Sequence, residues 1–267
     1  MTSIPFPSIM GVINVTPDSF SDGGKHLNHE VAIRHGLSLI EQGADILDIG
    51  GESTRPGAHI ISIEEELHRV IPVIQGIRKA GCTYPISIDT IKPQVAKAAL
   101  DAGATIINDI SGLDAGPDLA RIAAEYNVPL ILMHRKGISA TMQQNPSYDN
   151  VVAEVKEHLA NRCALAESVG ATSLMIDIGI GFGKTLEHNW QLLKSLHDFS
   201  DLGCPMVLGI SRKSFLGATL DIANAEERDI PTALLHALLL SSNVHTIRVH
   251  NVVNITMLRE LYNRLNS

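Results

Sequence analysis

Eight short apolar segments, each followed by a longer stretch with helical or loop character, constrain this chain more than any other feature. They lie at 9–14, 46–50, 86–89, 105–108, 129–133, 174–178, 206–210 and 246–249. Several are nearly continuous runs of Val, Ile and Leu, the pattern of parallel strands covered on both faces. Helical stretches between them include 30–42, 63–79, 93–102, 151–169 and 188–199. Eight strands with interleaved helices match an α/β protein of the closed (β/α)8, or TIM, barrel class. Such a barrel takes roughly 250 residues, and the chain has 267. An open doubly wound sheet would place a glycine-rich turn after its first strand, where this chain reads Asn14-Val15-Thr16-Pro17. Pro, Gly and Ser occur as single punctuation marks with no linker, so residues 1–267 are expected to form one domain.

The charge balance narrows the partners. The net charge is −8, from 21 Lys and Arg against 29 Asp and Glu, without the broad basic footprint of a nucleic-acid binder. Cys82, Cys163 and Cys204 are far apart and odd in number, which disfavours a disulfide framework or a zinc site and suits a reducing compartment. No signal peptide is expected from the first nine residues, and no apolar run approaches the ~20 residues that span a bilayer. A cytoplasmic protein without membrane contact is the expectation.

Polar residues gather where the strands end. Asn14, Glu52, Arg55, Asp89, Asn108, His134, Asp177, 211–213, Arg248 and His250 all fall at or just beyond a C-terminal strand end. In a barrel these ends converge on one face, where active sites of the fold lie. The alternative for any one of them, Thr90 before Lys92-Pro93 for example, is capping of the next helix.

Two chemistries are implied on that rim. Arg55, Lys213, Arg248 and His250 would repel one another unless an anion is bound or rim carboxylates pair with them. A forked guanidinium suits phosphate oxygens, and 211–214 follows a strand where a new helix would offer free backbone N–H groups. Asp89, Asn108 and Asp177, with Lys213 nearby, supply the acceptors and amide edge that read a pteridine or purine-like ring. The stretch 179–185 ends in Gly-Lys-Thr but fails the P-loop spacing, since Ile178 stands where the first glycine belongs. It reads instead as a tight loop that lets backbone and Phe182 approach a flat ligand. Of the twelve histidines, only His250 is singled out, because it shares one side of a strand end with Arg248.

Together these segments are specific. Met10-Gly-Val-Ile-Asn14-Val-Thr-Pro-Asp18-Ser-Phe20-Ser-Asp-Gly-Gly24 and Asp48-Ile-Gly-Gly-Glu52-Ser-Thr54-Arg55-Pro56-Gly57 resemble the two signatures of the dihydropteroate synthase family. Ser87-Ile-Asp89-Thr, Ile107-Asn108-Asp-Ile-Ser, Leu132-Met133-His134, the 179–185 loop, Gly209-Ile-Ser-Arg-Lys213-Ser and Arg248-Val-His250 follow in family order, across residues 9–253. The resemblance implies condensation of (7,8-dihydropterin-6-yl)methyl diphosphate with 4-aminobenzoate, giving dihydropteroate and diphosphate in folate synthesis. It implies that Asp89, Asn108, Asp177 and Lys213 hold the pterin, with Met133 and Phe182 packing beside it. Asn14, Arg55, Arg248 and His250 resemble the diphosphate set, supplemented by Ser214, with Mg2+ near Asn14. Thr54 resembles a substrate contact, and Pro56 and Phe20 resemble parts of the aminobenzoate pocket on loops that close over the site. A homodimer is expected by the same resemblance.

The chemistry then has a physical outline. An aniline nitrogen is a modest nucleophile, so stabilising the departing diphosphate with Mg2+, Arg248 and His250 should carry much of the barrier. Asp89 would face the cationic pterin methylene of an SN1-like path, with water excluded by the closed loops. A barrel methyltransferase that uses a methyl-folate would share the Asp89 and Asn108 pocket but has no use for the diphosphate group. An inactive pterin-binding module would not need Asn14, Asp89, Lys213 and Arg248 intact. The chain departs from the family pattern at Ile178, where many relatives have Pro, and at Asn251, where many have Asp. It departs again at Asp229-Ile-Pro231-Thr, where Gly-Ser or Gly-Thr is common before the last long helix.

Overall fold

A computed structural model describes residues 5–16, 25–53, 60–137 and 141–267. Its elements alternate: β1 (Ser8–Asn14), α1 (Lys25–Glu41), β2 (Ile46–Gly50), α2 (Ile63–Lys79), β3 (Ile86–Asp89), α3 (Pro93–Asp101), β4 (Ile106–Asp109), α4 (Asp118–Tyr126) and β5 (Leu130–Met133). They continue with α5 (Val151–Ser168), β6 (Leu174–Asp177), α6 (Leu186–Lys194), β7 (Met206–Leu208), α7 (Ser214–Leu220), α8 (Asp229–Leu238), β8 (Val244–Val249) and α9 (Val252–Asn266). The strands pair in parallel in sequence order, and β8 returns to β1, closing the barrel. No helix among the described residues is long and apolar enough to cross a membrane.

One expected helix is divided. The stretch 188–199 was expected to be continuous, but α6 stops at Lys194 and a 3-10 segment, Leu196–Leu202, follows it. Leu196 and Phe199 are both buried and three residues apart. At three residues per turn the 3-10 segment stacks these two side chains directly above one another. Helix α6 begins two residues earlier than expected, because Thr185 and His188 form a reciprocal capping box.

Strand alternation places the site. Side chains two apart share a face, and one face of each strand packs under the helices: Ile9, Ile13, Leu47, Ile49, Ile86, Ile88, Ile107, Leu130, Leu132, Ile176 and Leu208 belong to one continuous core. The other face points into the barrel. Its lower layer is a separate apolar cluster of Met10, Ile106, Ile131 and Val207, backed by Ile46 and Met175. Stepping by two from those residues toward the strand ends reaches Asp48 on β2, Asn108 on β4, Met133 on β5, Asp177 on β6 and Gly209 past β7. The register sets Asp89 beside both Gly50 and Asn108, and sets Arg248 of β8 beside Met10. A dry floor therefore carries a polar upper layer.

Candidate active site

Asp89, Asn108, Asp177, Lys213 and Arg248 line one pocket in that upper layer, with Ile110, Met133, Ile180 and Phe182 as its apolar walls. Six of these, Asp89, Asn108, Asp177, Lys213, Met133 and Phe182, are the residues singled out in the sequence for a flat heterocycle. Lys213 sets its ammonium 3.9 Å from the centroid of the Phe182 ring, a cation–π arrangement that holds both at the pocket wall.

Arg248 is the electrostatic centre. Its Nε donates to Asp48 Oδ2 at 2.7 Å and its Nη2 donates to Asp89 Oδ2 at 2.8 Å. Asp48 also accepts from Asn108 Nδ2, at 3.3 Å on one oxygen. The cation therefore does not stand exposed awaiting an anion: rim and interior carboxylates pair with it. Burial works against its charge, and Asp48 and Asp89 hold its pKa above the ordinary guanidinium value. Burial pushes the Asp89 carboxyl up to about 7, with Arg248 opposing the rise and Asp48 adding to it. Asp177 is raised by burial too, although it accepts from the Gly179 N–H at 2.7 Å. Lys213 is pulled down to about 8 by burial and by Arg248.

His250 contributes differently from a cation. Burial, reinforced by Arg248 and Arg212, lowers its pKa to about 3, so near neutrality it is an uncharged imidazole with one donor and one acceptor. Its backbone N–H donates to Ser211 Oγ at 3.1 Å, and Nδ1 lies 3.0 Å from the same oxygen. Arg212 turns away from the pocket. It adopts φ +60° and forms a two-pronged pair with Asp229 at 2.7 and 2.8 Å. Asn251 Nδ2 donates to Asp229 as well, at 3.2 Å, so two positions that depart from the family pattern meet. Asp229–Pro231 opens α8, while the last long helix is α9. Ser214 is exposed at the start of α7.

Other rim residues support loops. Glu52 accepts from Lys92 Nζ at 2.7 Å and from the Ile61 N–H at 3.0 Å. Thr90 Oγ1 donates to buried Glu66 and accepts from the Lys92 N–H, a local turn role. Asn14 sits half-buried at the end of β1. Thr54, Arg55, Pro56 and Phe20 lie outside the described residues.

Two buried residues that hold the pocket's surroundings in place are not evident in the sequence. Asp48 lies two residues before the strand end, and its parity with Gly50 is the signal that it points into the barrel. In the sequence Lys184 has only the look of a loop residue. Its buried Nζ lies 2.9 Å from His134 Nδ1, 2.9 Å from Gly179 O and 3.0 Å from Phe182 O. It knits the loop bearing Phe182 to the end of β5, and burial lowers its pKa to about 7. His134, held neutral by burial and by Lys184 with its pKa down to about 2, supplies the acceptor. Gly179 permits the close approach: at φ +66°, an added Cβ would come within 1.8 Å of His134 O.

Among the described residues no group of three or more His, Cys, Asp or Glu could hold a metal. The rim offers the amide oxygen of Asn14, a hard ligand that fits a magnesium ion sharing most of its coordination with water and a phosphorylated substrate.

The model of the family described as "Pterin binding enzyme" matches residues 10–250. The dihydropteroate synthase of Escherichia coli K12 is 44% identical over 250 residues, covering 92% of this chain and 87% of the relative. A solved dihydropteroate synthase of Xanthomonas albilineans with 4-aminobenzoic acid superposes with a TM-score of 0.91 at 43% identity, covering 98% of this chain and 94% of that one. The same enzyme in complex with 7,8-dihydropteroate gives a TM-score of 0.87 at 40% identity, with the same coverage of 98% and 94%.

Proposed function

The chain belongs to the pterin-binding enzymes and, within them, to the dihydropteroate synthases, and on that premise we propose that it transfers the pterinylmethyl group of (7,8-dihydropterin-6-yl)methyl diphosphate to 4-aminobenzoate, forming 7,8-dihydropteroate in folate biosynthesis. The observation that carries the reading is the meeting of acceptors, an amide and two cations in one pocket: Asp177, Asn108 and Asp89 with Lys213 and Arg248. Asp177 accepts ring N–H groups, Asn108 both donates and accepts, and Lys213 donates to the lactam side. Met133 and Phe182 take the ring faces. Arg248 stabilises the departing diphosphate, and the neutral imidazole of His250 donates a hydrogen bond to it. Arg55, Ser214 and Thr54 complete the substrate contacts, and Pro56 borders the aminobenzoate.

Asp89 favours an SN1-like path. A carboxylate whose charge is penalised by burial gains most when a cation forms beside it. Asn14 would be the residue to hold Mg2+, and the ion would supply further positive charge beside the leaving group. No covalent bond to the protein is required. The three free thiols suit a cytoplasmic setting. The test is direct: protein, Mg2+ and both substrates are expected to yield diphosphate and dihydropteroate in equal amounts, and no diphosphate release would sink the reading.

The homodimer has a candidate face. Ile230, Leu234 and Leu238 are exposed at four-residue spacing on α8, as are Val253, Met257, Leu261 and Leu265 on α9. These helices pack together, and an apolar patch of this kind marks an association surface. Leu234→Glu is expected to halve the mass seen by light scattering. A wild-type monomer, or an unchanged dimer in the variant, would overturn the assignment.

A further inference from the structure

We propose that Asp48 is a positioning residue of the transfer reaction: from inside the barrel it fixes the plane of the Arg248 guanidinium and the orientation of the Asn108 amide. The proposal rests on the activity assigned above, and it concerns a residue that does not line the pocket.

Asp48 has no exposed surface. Above it stand the pocket residues, and below it the apolar layer of Met10, Ile106, Ile131 and Val207. Its neighbour across the sheet is Ser87, whose buried hydroxyl has no hydrogen-bond partner. Arg248, at 21% side-chain exposure, is the only cation paired with Asp48 among the described residues. A buried ion pair adds little stability over well-packed apolar residues of the same volume. The carboxylate therefore needs an explanation other than stability, and its two contacts provide one.

The first contact is with the arginine. With Nε engaged by Asp48 and Nη2 by Asp89, the planar fork is pinned at two points. An arriving diphosphate can displace the Asp89 contact while Asp48 keeps its hold on Nε. The Nη edge then faces the anion, a two-point geometry that a freely rotating side chain would occupy only part of the time. The second contact is with Asn108. An ionised carboxylate can only accept, so Asn108 must turn Nδ2 toward Asp48, which leaves Oδ1 and the other N–H for the heterocycle. One interior charge thus sets the hydrogen-bond polarity of the ring site and the aim of the anion site.

Asp48→Asn tests this, because it keeps the shape and removes both the charge and the acceptor-only character. The expected kcat is roughly 100-fold lower, the loss typical of one misaligned electrostatic contact, with KM for 4-aminobenzoate unchanged within about twofold. In an Arg248→Met background the same change is expected to cost clearly less, roughly tenfold, since only the Asn108 contact is then left to lose. A kcat within threefold of wild type, or equal losses in both backgrounds, would overturn the proposal. If Asp48→Asn does not fold, Arg248→Lys reads the same point: it keeps the charge but loses the pinned fork, so wild-type kcat there would overturn it as well. Binding of inorganic diphosphate, followed by calorimetry, separates the two readings. Weakening in Asp48→Asn supports the positioning role even if wild-type protein forms no dihydropteroate, an outcome that would instead remove the assigned activity.

Discussion

Replacing Arg248 by methionine is expected to lower kcat/KM by roughly 10³-fold, the scale of losing a charged donor aimed at a developing anion, and to destabilise the protein in a pH-dependent way. The second effect follows from what Arg248 touches. Without it, the interior carboxylate Asp48 and the pocket carboxylate Asp89 lose their shared partner. Breaking a buried pair by removing one member costs about 3–5 kcal/mol, unless the stranded groups take up protons. With Arg248 gone, burial would raise the Asp89 carboxyl further, so the folded variant would hold a proton that the unfolded chain releases near pH 4. Its stability must then fall as pH rises. Thermal melts should show the largest deficit near pH 8 and a smaller one near pH 5.5. Turnover within tenfold of wild type would remove Arg248 from the diphosphate site, and a deficit independent of pH would mean that its carboxylates are not stranded.

The same pairing marks where the sequence stops being informative. The barrel was legible because parallel strands buried on both faces are written as short apolar runs. The strand ends were legible because each run closes on a polar residue. Where β4 lies one residue later than expected, and where 188–199 divides into two helical segments, the local apolar pattern does not mark the boundary. The pocket was legible in composition, since Asp89, Asn108, Asp177 and Lys213 sit at strand ends. Its charge state was not. In the sequence Arg248 and His250 read as positive charges that either an anion or rim carboxylates would relieve. In the fold one is neutralised by Asp48, 200 residues away in sequence, and the other is kept uncharged by burial. Lys184 carried a misleading local context, Gly-Lys-Thr, and its role arises only because the loop folds back on His134.

Asp89→Asn is expected to abolish most turnover while making the ligand-free protein more stable at alkaline pH. If Asp89 faces the pterin methylene as proposed, loss of its charge should lower kcat by roughly 10²–10³-fold. The stability gain has the opposite origin. Burial pushes Asp89 from 3.8 up to about 7 despite Arg248, so the folded protein binds this proton more tightly than the unfolded chain does. Below about pH 4 both states are protonated and the group contributes nothing. Between about pH 4 and 7 the penalty for ionising it grows, and above 7 it is present in full. An asparagine escapes that penalty, and its Oδ1 can still accept from Arg248 Nη2. The variant should therefore match wild type in melts near pH 4 and exceed it by roughly 2–6 °C near pH 8, a size set by the few degrees that each kcal/mol moves a domain of this length. A wild type more stable than the variant at pH 8 would refute the sign, since the ionised carboxylate would then be a net stabiliser. The predicted trade of stability for turnover fits the proposed SN1-like path: an anion held at a disadvantage by burial would fall in energy if the pterin methylene became a cation beside it.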